Sequence, residues 1–175
     1  MKNNDILTQL YQQYPQLRNR NIENAFQLLY GTYLSGGKIL ICGNGGSASD
    51  SDHIVGELMK SFQIKRDLPQ KEYLKFKDIN DGEVIASKLQ KAIPAISLSS
   101  QTALITAIGN DSSYDMIYAQ QVYGYGKVDD CLIALSTSGN STNIITAVKT
   151  AKALKMKTVG ITGQQTCQLQ ELCDI

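Results

Sequence analysis

Lys38-Ile39-Leu40-Ile41-Cys42-Gly43-Asn44-Gly45-Gly46-Ser47 passes from an apolar run into a glycine cluster, and the segment behind it, Ala48 to Phe62, turns helical. Val55, Leu58, Met59 and Phe62 fall at i, i+3, i+4 and i+7, the spacing of one helix face. The reading is strand, tight turn, helix. Glycines lack Cβ, so the backbone can take positive φ and approach a ligand closely, while a helix start offers unpaired N–H groups and a partial positive charge. Such a turn holds an anion, usually a phosphate.

A second stretch repeats the arrangement. Cys131-Leu132-Ile133-Ala134-Leu135 runs into Ser136-Thr137-Ser138-Gly139-Asn140-Ser141, and a helical pattern through Ile144, Ile145, Val148 and Ala151 follows. The four hydroxyls of this turn are neutral donors that can wrap phosphate oxygens together with backbone N–H groups. No Walker lysine follows either turn, which argues against a nucleoside triphosphatase.

The 175 residues suit one domain with a sizeable core, and the 42% apolar content is that of an ordinary globular protein. Lysine and arginine (17) nearly balance aspartate and glutamate (16), so no basic field points to nucleic acid and no acidic tail to a basic partner. The expected partner is a small molecule. No signal peptide opens the sequence and no apolar run approaches the roughly 18 residues of a membrane span, so the chain reads as cytoplasmic and without a membrane partner. Cys42, Cys131, Cys167 and Cys173 form no Cys-x-x-Cys pair and no zinc-ribbon spacing. They read as reduced, with Cys42 and Cys131 as small apolar residues of buried strands.

In chain order, Ile6, Leu10 and Tyr14 mark a short helix that Pro15 interrupts. Ile22, Ala25, Phe26, Leu29 and Tyr33 mark a longer one over Gln16 to Leu34, closed by Gly36-Gly37. These N-terminal helices occupy residues 1–37. Residues 63–93 form a polar insertion, charged from Lys65 to Lys91, with a small helical pattern at Val84, Ile85 and Leu89. It is either a solvated surface excursion or a lid or subunit contact over the site. A second strand follows at Ala95 to Ser99, then helices at Ser100 to Ile108 and Asp115 to Tyr123, and a third strand at Cys131 to Leu135. Thr142 to Met156 is helical, Lys157 to Thr162 is a fourth strand, and Gln164 to Leu172 is a final helix. Asp174-Ile175 reads as the opening of a fifth strand, so a C-terminal part is expected beyond residue 175.

Strands alternating with helices imply an α/β fold: a parallel sheet with helices on both faces and right-handed crossovers. Ligands in such sheets sit beyond the carboxyl ends of the strands, where strand order reverses. If the first and third strands flank that point, the two turns grip one phosphate from two sides.

At this point the residues resemble a known family. Cys42-Gly43-Asn44-Gly45-Gly46-Ser47, His53 with Glu57, Gly109-Asn110-Asp111, and Ser136-Thr137-Ser138-Gly139-Asn140-Ser141 look like the sugar isomerase (SIS) domain, specifically the phosphoheptose isomerases. The resemblance runs from Lys38 to Ile175 around the insertion. It implies a three-layer, flavodoxin-like, five-stranded sheet in a single SIS domain over 1–175. It also implies a homotetramer with sites between subunits, and conversion of sedoheptulose 7-phosphate to a heptose 7-phosphate. Carried over by motif, Asn44, Gly45, Gly46, Ser47, Asn110 and Asp111 would line the substrate, and Ser136, Thr137, Ser138 and Ser141 would hold its phosphate. Glu57 would be the catalytic base, and His53 with Glu57 would bind zinc in the zinc-containing members. The family's remaining ligands and a catalytic histidine lie on a later helix that this sequence does not include. Gly56 stands where the family often has glutamate, and the insertion has no counterpart in the best-known members.

Taken alone, a single histidine is more often structural than a ligand, and Glu57 could be an ordinary exposed helical residue. The two are four apart, so they share a helix face distinct from the Val55, Leu58, Met59, Phe62 stripe. Aldose–ketose isomerisation needs one carboxylate over two adjacent carbons, removing a proton beside the carbonyl and returning it to the neighbour through an enediol. Asp111, a metal at His53 or the absent histidine could then move the hydroxyl proton. The serines could instead be a turn with Asn140 or Ser141 as helix cap. Asn110-Asp111 serves equally as a helix stop.

Two other functions compete. Gly43-Asn44-Gly45-Gly46-Ser47-Ala48 fits a dinucleotide fingerprint, but that motif needs an acid closing the next strand, and Leu98-Ser99-Ser100 has none, so no nucleotide cofactor is expected. A non-catalytic SIS-domain sugar-phosphate binder or partner-binding protein would keep both turns and need neither His53 nor Glu57.

Overall fold

The computed structural model describes residues 3–18, 21–163 and 166–175. Helices α1 (Asn3–Gln13) and α2 (Ile22–Leu34) precede the first strand, with a 3-10 turn at Pro15–Leu17 between them. The stripe expected from Gln16 is therefore divided. Asn21 takes φ 51°, a left-handed conformation that a right-handed helix cannot run through. After α2 the chain reverses through Gly36 at φ 80°, as a C-terminal glycine cap requires.

Then follow β1 (Ile39–Gly43), α3 (Gly46–Met59), α4 (Gln70–Tyr73), α5 (Gly82–Lys88) and β2 (Ala95–Ser97). The chain continues through α6 (Thr102–Asp111), α7 (Ile117–Tyr125), β3 (Cys131–Ser136), α8 (Thr142–Ala153), β4 (Lys157–Thr162) and α9 (Gln168–Leu172). Several expected boundaries shift. Strand β2 stops at Ser97 because Leu98–Ser100 closes into a 3-10 turn, and Gly109, Asn110 and Asp111 form the last turn of α6 rather than its stop. Helix α3 ends at Met59, since Lys60 is already extended at φ −122° and ψ 167°. Phe62 consequently leaves the helix and stands 74% exposed, so the apolar stripe reaches the core only through Val55 and Leu58. The expected last helix begins at Gln168, and Gln164 and Gln165 lie outside the described residues.

All pairings are parallel, in the order β2-β1-β3-β4, with Gly43 opposite Leu135. The five strands expected become four among the described residues. Asp174 and Ile175 do run beside β4: Ile175 N donates to Thr158 O at 3.3 Å and Gly160 N donates to Ile175 O at 2.8 Å, the alternation of a parallel ladder. That single step is too short to make a strand.

Side chains alternate across the sheet as its pleat demands. Leu40, Cys42, Leu132 and Ala134 face α6, α7, α8 and α9 through Ile108, Val122, Val148 and Leu169, while Ile39, Ile41, Ile133 and Leu135 face Leu28 and Leu29 of α2 and Ile54 of α3. With both faces covered, the central strands read as continuous apolar runs. Helices α3 and α8 lie on opposite faces, and strand order reverses at the β1/β3 pair. Among the described residues no helix is long and apolar enough to cross a membrane. The cysteines are unpaired, and burial pushes the Cys131 thiol up to about 12 and that of Cys173 up to about 11, which leaves both poor nucleophiles at neutral pH.

Candidate active site

Both glycine- and serine-rich turns emerge from the carboxyl ends of the adjacent strands β1 and β3. Gly45 is the N-cap of α3 at φ 55° and ψ −120°, and no side chain caps the helix; Ser47 N and Ala48 N instead donate to Asn44 O and Gly45 O, both at 3.0 Å, which tightens the turn. Gly43 is required here because a Cβ would lie 2.5 Å from Ser47 O. Its carbonyl accepts the Tyr118 hydroxyl at 2.5 Å and the Ser99 hydroxyl at 3.0 Å, which anchors the turn to the β2–α6 connection and to α7.

Ser141 occupies the N-cap position of α8 but makes no side-chain capping bond; its Oγ lies 3.2 Å from Ser136 Oγ instead. Ser136 Oγ accepts Gly139 N at 3.1 Å, and Ser138 Oγ accepts Asn140 N at 3.3 Å. An oxygen that accepts from the backbone keeps its own proton to donate, and the Ser136–Ser141 pair uses one of its two protons internally and has the other to give. Gly139 takes φ 65°, where an added Cβ would collide with Cys167. Thr137 and Ser138 are exposed.

The two turns are joined by a pair that sequence reasoning missed. Asn44 Nδ2 donates to Asn143 Oδ1 at 2.9 Å, and Asn143 Nδ2 returns the bond to Asn44 Oδ1 at 2.9 Å. Nothing local marks Asn143, since its partner lies 99 residues away. Asn44, expected to line the substrate, thus has one amide N–H and its Oδ1 engaged within the protein. Asp52 is a second missed residue: its Oδ1 accepts the hydroxyls of Ser97, at 2.5 Å, and Ser100, tying α3 to the end of β2.

His53 and Glu57 share a face of α3, with Nε2 3.9 Å from Oε1. His53 is 77% exposed and Glu57 29%. Glu57 Oε1 lies 3.3 Å from Lys60 Nζ, while its Oε2 is buried with no hydrogen-bond partner. Ser47 and Glu57 are ten residues apart on this helix, about 15 Å along its axis, which exceeds the end-to-end span of a seven-carbon chain. Along the helix, Glu57 thus stands well away from the turn at Ser47. Asn110 and Asp111 are exposed at the end of α6, where Asn110 Nδ2 donates to Asp111 Oδ1 at 2.8 Å, and no bond joins them to either turn.

Among the described residues no group of three or more His, Cys, Asp or Glu side chains could hold a metal. His53 and Glu57 offer two donors, one short of the three that a catalytic zinc takes from protein. These residues by themselves do not fit zinc.

A family model described as SIS domain matches residues 4–91 and 85–163. A phosphoheptose isomerase of Aliarcobacter butzleri is 38% identical over 154 residues, covering 88% of this chain and 69% of that protein. One of Clostridium acetobutylicum is 38% identical over 153 residues, covering 87% and 66%. The chain thus spans about two thirds of the length of these curated relatives. The solved structure of a phosphoheptose isomerase from Francisella tularensis superposes with a TM-score of 0.71 at 29% identity, covering 99% of this chain and 82% of that one.

Proposed function

Since the chain belongs to the SIS-domain family and within it to the phosphoheptose isomerases, we propose that it interconverts sedoheptulose 7-phosphate and a heptose 7-phosphate. The observation that carries the reading is the Asn44–Asn143 amide pair, which sets two anion-binding turns side by side at the sheet's switch point. The turns at Ser47 and at Ser136, Thr137, Ser138 and Ser141 hold the phosphate. Glu57 removes the proton beside the carbonyl and returns it to the next carbon through an enediol, and His53 moves the hydroxyl proton. A non-catalytic binder is the weaker alternative, because it gives no reason for a carboxylate oxygen left buried and unpartnered at Glu57.

The separation of Glu57 from Ser47 supports a site shared between subunits, in which one chain's Glu57 acts on sugar held by another chain's turns. The end of α3 is dressed for such a contact: Met59 is 46% and Phe62 74% exposed. Phe26 and Tyr30 of α2 stack at 5.9 Å on a further exposed face. A homotetramer and a cytoplasmic location belong to the same proposal, the latter supported by four unpaired cysteines.

Proton NMR of a panel of ketose and aldose phosphates in deuterated water tests the reaction. Sedoheptulose 7-phosphate should take up deuterium beside its carbonyl. Glu57→Gln should abolish the exchange and leave sugar-phosphate binding intact, since it removes a base and keeps the shape. Turnover by this variant within about tenfold of the parent, far less than the usual contribution of a general base, would remove Glu57 from the mechanism.

A further inference from the structure

We propose that Arg66 is a positioning residue for Glu57, and that the 63–93 excursion is a clamp on the helix that carries this carboxylate; the inference rests on Glu57 being the base. The last carbonyls of a helix have no N–H partner within it and carry the negative end of its dipole. At the end of α3 a single guanidinium nitrogen meets them. Arg66 Nη2 donates to Leu58 O at 2.7 Å and Lys60 O at 2.5 Å, with Glu57 O at 3.3 Å.

Arg66 is itself held from the far end of the excursion. Its carbonyl accepts Lys91 N at 2.7 Å, and Asp67 pairs with Gln90 in an isolated antiparallel bridge. Gln90 Oε1 accepts Ser61 N at 2.8 Å and also the Ser61 hydroxyl, while Ile93 N donates to Leu58 O at 2.9 Å. Both stems of the excursion therefore converge on the last turn of α3. Its body is a small unit in which α4, α5 and a 3-10 turn at Leu74–Phe76 pack on one another, and Gly82 is needed because a Cβ there would collide with Phe76 O. The Lys91 ammonium lies 5.3 Å from the centre of the Tyr33 ring, which ties the returning stem to α2.

This arrangement matters at Glu57 because its side chain has little else to orient it. Oε2 has no hydrogen-bond partner, and Oε1 has two exposed side chains beside it, the Lys60 ammonium at 3.3 Å and His53 Nε2 at 3.9 Å. The carboxylate is placed by its backbone, and the backbone there is placed by Arg66. A displacement of about 1 Å in such a group can lower a rate by about 100-fold.

The test compares Arg66→Ala, Arg66→Lys, Glu57→Gln and the Arg66→Ala/Glu57→Gln double variant in the full chain. It reads kcat, KM and calorimetric affinity with sedoheptulose 7-phosphate. Arg66→Ala should lower kcat by about 100-fold with affinity unchanged. Arg66→Lys should restore most of the rate, because an ammonium can still donate to the helix carbonyls. The double variant should be no slower than Glu57→Gln alone, since one residue acts through the other. Parental kcat in Arg66→Ala, with Glu57→Gln inactive, would overturn the clamp and leave the base intact. Parental turnover in Glu57→Gln would instead overturn the base. Equal losses of affinity and kcat in both Arg66 variants would make Arg66 a general structural residue and overturn its link to Glu57.

Discussion

Ser136 and Ser138 differ from ordinary capping residues in what their oxygens do. Each accepts a backbone N–H of its own turn, so a hydroxyl proton is left to donate from Ser138 and one from the Ser136–Ser141 pair. Gly139 N also has the Ser136 carbonyl at 2.9 Å, so truncating the side chain does not orphan the backbone. The double variant Ser136→Ala, Ser138→Ala should therefore fold normally and bind sugar phosphate more weakly. A hydrogen bond to a charged group is worth roughly 1.5–3 kcal/mol, so losing even one lowers affinity about tenfold or more. Unchanged affinity by calorimetry would sink the phosphate assignment. The serines were legible in sequence because a cap does not need six consecutive small polar residues. The engagement of Asn44 was not, since an asparagine beside glycines looks the same whether its amide is free or bonded.

At the scale of elements, α3 and α8 both start beyond the carboxyl ends of the adjacent strands β1 and β3, and the Asn44–Asn143 pair fixes their relation across that boundary. Asn143 is 2% exposed and its Oδ1 also accepts Ile144 N at 3.0 Å, so removing its amide takes away both bonds to the half-buried Asn44 and leaves that buried N–H without its side-chain partner. Asn143→Ala should lower stability by about 1–3 kcal/mol, the cost of a buried group left unsatisfied, seen as a lower urea midpoint at unchanged slope. Sugar-phosphate affinity should fall with it, because the two turns lose their common register. An unchanged midpoint would show that other contacts hold the heads together. The helix periods themselves were legible along the chain, whereas their ends were set by single backbone conformations, φ 51° at Asn21 and the extended Lys60, which no periodicity encodes.

For the whole molecule, the decisive feature is that α3 carries the glycine-rich turn at one end and Glu57 toward the other. If each site combines one chain's turns with another chain's Glu57, mixed assemblies of Glu57→Gln chains with Ser136→Ala, Ser138→Ala chains should recover activity that neither variant shows alone. Refolding the two together and measuring turnover checks this, and absence of recovery would return both groups to one chain. By itself the sequence determined the parallel α/β class, the two glycine- and serine-rich turns and the shared face of His53 and Glu57, because these follow from neighbours within a few residues: apolar runs, glycines at a turn, and spacings of three and four. Only the tertiary structure decided which strands lie adjacent, that Asn44 is latched to Asn143, and that Arg66 closes the end of Glu57's helix. Those depend on groups that the fold brings together from distant parts of the chain, and no local pattern records such a meeting.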